Sequence, residues 1–234
     1  MSENPRQELR ELVAGLETFL KFQRRLGWVG TPRPEKSMSP PPKDAKTKRP
    51  TLAEIREEMG ECQRCKLGKG RTNLVFGEGS PQARLMFIGE APGAEEDLQG
   101  RPFVGEAGKL LDNMLHKLGL RREDVYITNI VKSRPPRNRD PEPDEAEACL
   151  PFLFKQIDSI RPLVIVTLGR IATQNLLDTK DPITKLRGTW QKFHGIKVMP
   201  TFHPSYLNRF PKERIKTWND MQQVMEYLAT HEED

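Results

Sequence analysis

The chain has 234 residues, of which 30% are charged, and its formal net charge is +5. This length allows one domain with an extension, or two small domains. No run approaches about 18 apolar residues, so we expect no membrane span, and the mixed charges of the first ten residues argue against a secretory signal. Three cysteines cannot form an even disulfide framework, which favours a reducing compartment and a cytoplasmic protein.

The first 50 residues form an extension whose composition differs from the remainder. They hold 11 basic and 6 acidic residues, so the whole excess of positive charge lies there. Apolar residues at helical spacing between Arg6 and Leu20 predict an amphipathic helix within residues 1–30. Six prolines and a basic run predict a disordered linker over residues 31–50. A single domain is expected over residues 51–234.

Apolar runs alternate with helix-period segments after the linker. The predicted strands cover 83–89, 125–131, 163–168 and 196–202, and the predicted helices cover 105–118, 144–160, 171–177 and 218–228. This alternation predicts an α/β fold, a three-layer α/β/α sandwich around a central four-stranded parallel sheet. The strands are continuously apolar, as expected for a sheet covered on both faces.

Polar residues that are unusual for a core follow the predicted strands. In open parallel sheets, ligands bind beyond the carboxyl ends of the strands. Those ends are 90–93, 129–139, 169–170 and 203–209, and the second holds four cations within eight residues. Such a cluster is typical of a solvated loop and equally of a phosphate contact. Neither GxGxxG nor GxxxxGK[ST] is present, so no nucleotide cofactor is expected.

Three segments, in order and correctly spaced, resemble motifs of the family 4 uracil-DNA glycosylases. They are GEAPGAEEDLQGRPFVGEAGKLLD (Gly89–Asp112), TNIVKSRPPRNRDP (Thr128–Pro141) and TFHPSYLNR (Thr201–Arg209). The resemblance runs from about Thr51 to Leu228. It implies a hydrolase of base excision repair that cleaves the N-glycosidic bond of uracil in DNA, after the nucleotide has been flipped out of the duplex.

The resemblance implies roles for three side chains around the flipped base. Phe103 offers a face for stacking, and the Asn129 amide can donate and accept at the O4/N3 edge of uracil. A neutral His203 imidazole can hydrogen-bond uracil O2 as negative charge develops there. From the residues alone, Phe103 also fits a core position and Asn129 a turn.

The remaining site residues are also carried over from the resemblance. Glu90 and Asn138 are the candidates near the sugar and the attacking water, and they complete the catalytic set with His203. Ala91 stands where several sister families have an Asp, so the expected mechanism relies on electrostatics and leaving-group stabilisation. Gly89, Ala91 and Glu96 join the predicted substrate-binding set. The predicted DNA contacts are Lys132, Arg134, Arg137, Arg139, Ser205, Arg209 and Leu207, the last as an apolar wedge.

Family 4 members hold a 4Fe-4S cluster with four cysteines. Cys62, Cys65 and Cys149 match three of the positions, and Ser133 occupies the fourth, where Cys is expected. Ligation through the serine oxygen, an outside ligand on one iron, and a labile, three-iron or missing cluster all remain open. A zinc ion completed by a histidine is the alternative metal, and Cys149 also fits an ordinary core position.

Two other functions remain open at this point. One is a DNA- or nucleotide-binding member of the fold with weak or no turnover, and the other is a glycosylase for deaminated purines. For the main hypothesis we expect a monomer that binds uracil-containing DNA and associates with the nucleoid. We also expect the N-terminal extension to contact DNA or a repair or replication partner.

Overall fold

Six strands form one mixed sheet in a computed structural model that describes residues 49–231. The strands are β1 (Glu78–Gly79), β2 (Leu85–Gly89), β3 (Tyr126–Asn129), β4 (Val164–Leu168), β5 (Gln191–Phe193) and β6 (Ile196–Thr201). Their order across the sheet is β1-β3-β2-β4-β6-β5. The four inner strands run parallel, and the two edge strands pair antiparallel to them.

The register brings the carboxyl ends of the inner strands to one edge of the sheet. Gly89 pairs with Asn129 at the ends of β2 and β3, and Leu168 pairs with Thr201 at the ends of β4 and β6. Every residue of β2, β3 and β4 is buried, which explains why these strands read as apolar runs instead of alternating patterns.

Helices cover both faces of this sheet. They are α1 (Leu52–Met59), α2 (Ala94–Gln99), α3 (Glu106–Lys117), α4 (Pro143–Ile160), α5 (Arg170–Leu177), α6 (Ile183–Leu186), α7 (Pro204–Arg209) and α8 (Arg214–Ala229). One core cluster joins α4 and α5 to the sheet, and a second joins α3 and α8 to it. The three-layer sandwich with four central parallel strands is therefore confirmed.

The elements that the sequence did not predict are short. β1 and β5 have two and three residues, so they offer too little pattern to be recognised, and they extend the sheet from four strands to six. α1, α2, α6 and α7 were also not predicted. The expected amphipathic helix and most of the expected linker lie outside the described residues. Within those residues, no helix is long and apolar enough to cross a membrane.

A buried ion pair attaches α8 to the end of β6. Asp220 is fully buried, and its carboxylate accepts hydrogen bonds from the Arg187 guanidinium and from Thr201 Oγ1, the latter at 2.6 Å. Gly188 packs so closely that a Cβ there would lie 2.7 Å from Asp220 Oδ1. This cluster fixes the strand end from which the chain continues to His203.

Asp220→Ala should therefore lower the free energy of unfolding by about 3 kcal/mol, because it leaves Arg187 without its buried partner. Urea denaturation measures this change. Asp181→Ala is the matched control: Asp181 pairs with Lys185 on the surface at 3.0 Å, and its loss should cost less than about 1 kcal/mol. Equal losses for the two variants would contradict the structural role of Asp220.

Candidate active site

A cavity of about 430 Å³ opens at the edge where the parallel strands end. Residues that follow each of the four inner strands line it: Glu90 after β2, Asn129 at the end of β3, Gly169 after β4 and His203 after β6. Phe103, from the loop between α2 and α3, completes the wall. The strand-end rule thus led to the correct edge of the sheet.

Asn129 lines this cavity and carries an unpaired hydrogen-bond acceptor. Its side chain is 1% exposed, and its Oδ1 is the buried side-chain atom without a hydrogen-bond partner among the described residues. A buried amide oxygen left unpaired costs free energy, so this oxygen is available to a partner that donates a hydrogen bond. Gly89 makes room for it, since a Cβ there would overlap both Asn129 Oδ1 and the ring of Phe103.

Phe103 is held in a backbone conformation that a bulky side chain rarely adopts. Its φ is 52°, in the left-handed region, and its ring is 5% exposed. Glu96 holds one side of the turn: its Oε1 accepts from the backbone N–H groups of Val104 and Gly105 at 2.8 and 2.9 Å. Arg122 holds the other side by donating to the Phe103 carbonyl at 2.9 Å.

Glu96 also reaches the loop after β2, where its Oε2 accepts from the Gly93 backbone N–H at 3.0 Å. This carboxylate therefore binds two loops together behind the cavity, although it also lines the cavity wall. A Cβ at Gly108 would overlap the Phe103 carbonyl, so the start of α3 must approach this turn with a glycine.

His203 is fixed as one neutral tautomer. Its Nδ1 lies 3.1 Å from the Ser205 backbone nitrogen, which can only donate, and 2.7 Å from Ser205 Oγ. Nδ1 must therefore accept, which leaves the proton on Nε2. Burial, opposed by Glu96 and aided by Arg209, lowers the pKa of His203 to about 4. The ring lies 5.7 Å from that of Phe103, and it can donate into the cavity without carrying charge.

Glu90 is the carboxyl group of the cavity that titrates near neutrality. Burial, and then the negative charge of Asp140, raise the pKa of Glu90 to about 7, while Arg170 opposes the shift. Arg170 also pairs with Asp140 at 2.6 Å, so these two charges largely compensate each other. Glu90 therefore exists in both protonation states at neutral pH, which suits a group close to developing positive charge.

Asn138 lies at the cavity mouth with one side of its amide already engaged. Its Oδ1 accepts from Arg134 Nε at 2.8 Å, and because that nitrogen only donates, the amide orientation is determined. The Nδ2 group is then the side left for a ligand or a water. Asn138 can donate to the oxygen of a water but cannot take its proton through Oδ1.

The prediction that Lys132 contacts DNA phosphate is wrong. Lys132 is 1% exposed, and its ammonium donates to Thr128 Oγ1, the Asn129 carbonyl and Gln156 Oε1 at 2.5, 2.7 and 2.8 Å. These bonds hold the end of β3 in place beneath the cavity. A basic run in the sequence does not reveal which of its members turns inward.

The structure also contradicts the predicted wedge. Leu207 is 4% exposed and packs inside the protein, so it does not project toward a ligand. Arg139 is paired internally with Glu145 at 2.7 Å. Arg137 is exposed, and Arg209 and Ser205 lie at the cavity, with the Ser205 hydroxyl on His203. These three, Arg134 and Arg139, which is partly exposed and also lines the cavity, remain candidates for DNA contacts.

Several residues of the cavity wall were not among the predicted site residues, and three of them are notable. Gly169 has a φ of 90°, and a Cβ there would lie 2.8 Å from His203 Cβ, so both its conformation and its packing require glycine. Arg170 and Tyr206 line the cavity as well. Gly169 and Arg170 follow a predicted strand, and this position was the sequence feature that could have indicated their place in the site.

The predicted cluster ligands lie in segments that contact one another, and Cys65 packs against the apolar cluster that contains Cys149. Burial raises the pKa of the Cys149 thiol, and the charges of Cys65 and Cys62 act on it in the same direction. Arg71 donates both to the Cys62 carbonyl, at 2.5 Å, and to Ser133 Oγ, at 3.2 Å. Three thiols and one hydroxyl are thus the possible ligands that this region offers.

A single metal ion fits this region less well. Among residues 49–231, no three His, Cys, Asp or Glu side chains lie close enough together to hold one ion. In the described part of the chain, the three cysteines are therefore not assembled around one ion, either alone or with the histidine that the zinc alternative needs.

Comparison with known proteins identifies a family for this arrangement. Residues 76–229 match the model of the Uracil DNA glycosylase superfamily. The chain is 50% identical over 185 residues to a type-4 uracil-DNA glycosylase of Saccharolobus solfataricus, a match that covers 75% of this chain and 86% of that protein. It is 53% identical over 159 residues to a type-4 uracil-DNA glycosylase of Thermotoga maritima, covering 66% and 82%. A type-4 uracil-DNA glycosylase of Archaeoglobus fulgidus is 46% identical over 186 residues, covering 75% and 92%.

The tautomer of His203 can be measured directly. We expect ¹H–¹⁵N NMR to show a neutral ring protonated at Nε2 from pH 8 down to pH 5, because burial disfavours the imidazolium and its pKa lies near 4. Ser205→Ala is the control: it removes the hydroxyl but retains the backbone N–H that selects the tautomer. A ring protonated at Nδ1, or one that gains its second proton well above pH 5, would contradict the assignment.

Proposed function

Because the chain belongs to the uracil-DNA glycosylase superfamily, within its type-4 group, we propose that its cavity hydrolyses the N-glycosidic bond of uracil in DNA. The observation that carries this proposal is Asn129, which has a buried, unpaired Oδ1 and lines the same cavity as Phe103 and His203. The products are free uracil and an abasic site, and the enzyme is a hydrolase of DNA repair.

Base recognition follows from what the cavity offers. A base within the duplex is out of reach, so the nucleotide must first rotate into the cavity, which costs about a few kcal/mol. The ring of Phe103 then stacks on the pyrimidine. Asn129 Oδ1 accepts the N3–H of uracil; cytosine has no hydrogen on N3 and would leave this oxygen unpaired. Such a mismatch of buried polar groups discriminates strongly between similar bases.

His203 stabilises the departing base. As the bond between C1′ and N1 breaks, both electrons go to uracil, and negative charge spreads onto O2. The Nε2–H of His203, kept as a donor by the Ser205 N–H on Nδ1, can hydrogen-bond this oxygen. A preorganised donor in a site shielded from water is worth more in the transition state than in the ground state.

Glu90 serves the sugar side of the reaction. The sugar gains positive charge as uracil leaves, and an ionised carboxylate stabilises it. Water then adds to C1′ and releases one proton, for which Glu90 is a suitable acceptor because burial raises its pKa to about 7. Asn138 can orient this water through its Nδ2 group, since its Oδ1 is bound by Arg134.

Asn129→Ala should reduce uracil excision at least 100-fold with little change in fold, because it removes the base-reading amide from a preformed cavity. The assay uses a labelled uracil-containing oligonucleotide, followed by alkali to cleave abasic sites. Asn113→Ala, an amide on the exposed side of α3, is the matched control and should retain activity.

The same assay separates the alternatives. DNA binding without strand cleavage would favour a binding protein with weak or no turnover. Cleavage of oligonucleotides with deaminated purines, and none with uracil, would favour the purine glycosylase. Full activity of Asn129→Ala on uracil would refute the assigned role of the amide.

We further propose that Cys62, Cys65 and Cys149 hold an iron–sulfur cluster, with Ser133 at its fourth corner. Support comes from Cys65, which packs against the apolar cluster that contains Cys149, and from Arg71, which donates to both the Cys62 carbonyl and Ser133 Oγ. When bound, the cluster crosslinks the segment at Cys62 to the loop that starts at Ser133. That loop carries Arg134 and Asn138 to the cavity mouth, so the cluster stabilises the site without touching the substrate.

Ser133→Cys should raise the iron and acid-labile sulfide content per chain and slow the loss of visible absorption in air, because a fourth thiolate replaces a weaker oxygen ligand. Ser80→Cys, in the turn after β1, adds a thiol elsewhere and should change neither quantity. Zinc without iron in the purified protein, or identical iron content in the two variants, would overturn the cluster.

Other expectations remain predictions. We expect a monomer that acts on DNA in the cytoplasm, at the nucleoid. The basic extension, which lies outside the described residues, is expected to contact DNA or a repair or replication partner, because cations that displace counterions from DNA strengthen binding at low salt.

A further inference from the structure

An exposed aromatic ring follows Arg209 of the cavity wall, three residues beyond the buried Leu207. Phe210 follows the last residue of α7, and 51% of its surface is exposed. Single exposed apolar residues are common, so exposure alone indicates nothing. What distinguishes Phe210 is its place and the way in which it is supported.

A column of aromatic rings supports Phe210 from the core outward. Its ring lies 4.7 Å from that of Tyr206, centroid to centroid, and the Tyr206 ring lies 4.9 Å from that of Phe202. Phe202 is buried, whereas Tyr206 lines the cavity. The column therefore runs from Phe202 in the core, past Tyr206 in the cavity wall, to Phe210 at the protein surface.

The helix that carries the ring is fixed at several points. Asn208 Nδ2 donates to the Glu106 carbonyl at 3.3 Å, which attaches α7 to α3. Arg214 donates to the Leu207 carbonyl and to Asn208 Oδ1, both at 3.3 Å. Arg209, the residue before Phe210, lines the cavity and can reach a phosphate. The ring of Phe210 is thus held in place by contacts of the preceding helix, next to the cationic Arg209. A ring so placed can stack on an exposed base while the cation binds a phosphate of the same strand.

We propose that Phe210 inserts into the base stack at the position vacated by the flipped uracil. The inference rests on the proposed function, since only a flipped nucleotide leaves such a gap. The bases on either side of the gap lose their stacking partner, and an aromatic face restores it. The ring enters the duplex while Phe103 and Asn129 receive the base, so the return of uracil to the stack is blocked.

This role predicts a dependence on the form of the substrate. A single-stranded substrate has no duplex base stack for the ring to enter. In a duplex, uracil opposite guanine is paired more weakly than uracil opposite adenine. Excision from these two substrates should therefore depend less on Phe210 than excision from a U·A duplex. In Phe210→Ala, single-turnover excision from the U·A duplex should fall at least tenfold, or about 1.4 kcal/mol in activation free energy. The rate on single strands should change less than twofold, with the U·G duplex in between.

The matched control is Phe154→Ala. Phe154 is also a partly exposed phenylalanine, at 37%, but it packs against Phe193 beside the turn that leads into β6, at the edge of the sheet opposite the cavity. It should leave all three rates unchanged. Phe210→Trp keeps an aromatic face and should retain most of the duplex activity. This result would show that the loss in Phe210→Ala comes from the missing ring and not from misfolding.

A second readout follows the flip itself. With 2-aminopurine beside uracil, a wedge that stacks on the probe should change its fluorescence on binding of the wild type but not of Phe210→Ala. Equal rate losses on single strands and duplexes, or an unchanged U·A rate, would overturn the wedge. A wild-type protein that excises uracil from neither substrate would instead refute the proposed function.

Discussion

The meeting of three chain segments at Gly89 is the constraint on which the cavity depends. The sheet register places Asn129 beside Gly89, and the loop before α3 brings the Phe103 ring to the same point. Any side chain at Gly89 would separate the amide from the ring, because its Cβ would overlap both. A pocket that stacks a base and reads its edge at once therefore exists only because this residue has no side chain.

The surrounding structure compensates for the unfavourable features of this site. An unpaired amide oxygen and a left-handed phenylalanine each destabilise the folded protein, and neither would persist if its neighbours did not determine its position. Glu96 and Arg122 hold the backbone on both sides of Phe103, and Lys132 holds the carbonyl of Asn129. These charged side chains thus bind the protein backbone and not the substrate. They hold Phe103 and Asn129 in position before the substrate binds.

How far the sequence predicts this arrangement depends on the range of the interactions involved. Apolar periodicity and strand ends are local patterns, and they located the four parallel strands and the edge where Glu90, Asn129 and His203 meet. The inward turn of Lys132 depends on Gln156, which belongs to another element. The burial of Leu207 depends on its place beside α3 and α8, which no local pattern encodes. Edge strands as short as β1 fall below the length at which a period can be read.

His203 and Glu90 start from different protonation states, and the substrate affects them differently. DNA is a polyanion, so its approach raises the pKa of nearby groups. His203, with a pKa near 4, starts far enough below neutrality to remain a neutral donor, whereas Glu90, near 7, is shifted toward its protonated form. Positive charge on the sugar reverses that shift, because it favours the carboxylate. In the proposed reaction, stabilisation by Glu90 would therefore be weak in the bound ground state and strongest as the bond to uracil breaks, which is the difference that accelerates a reaction.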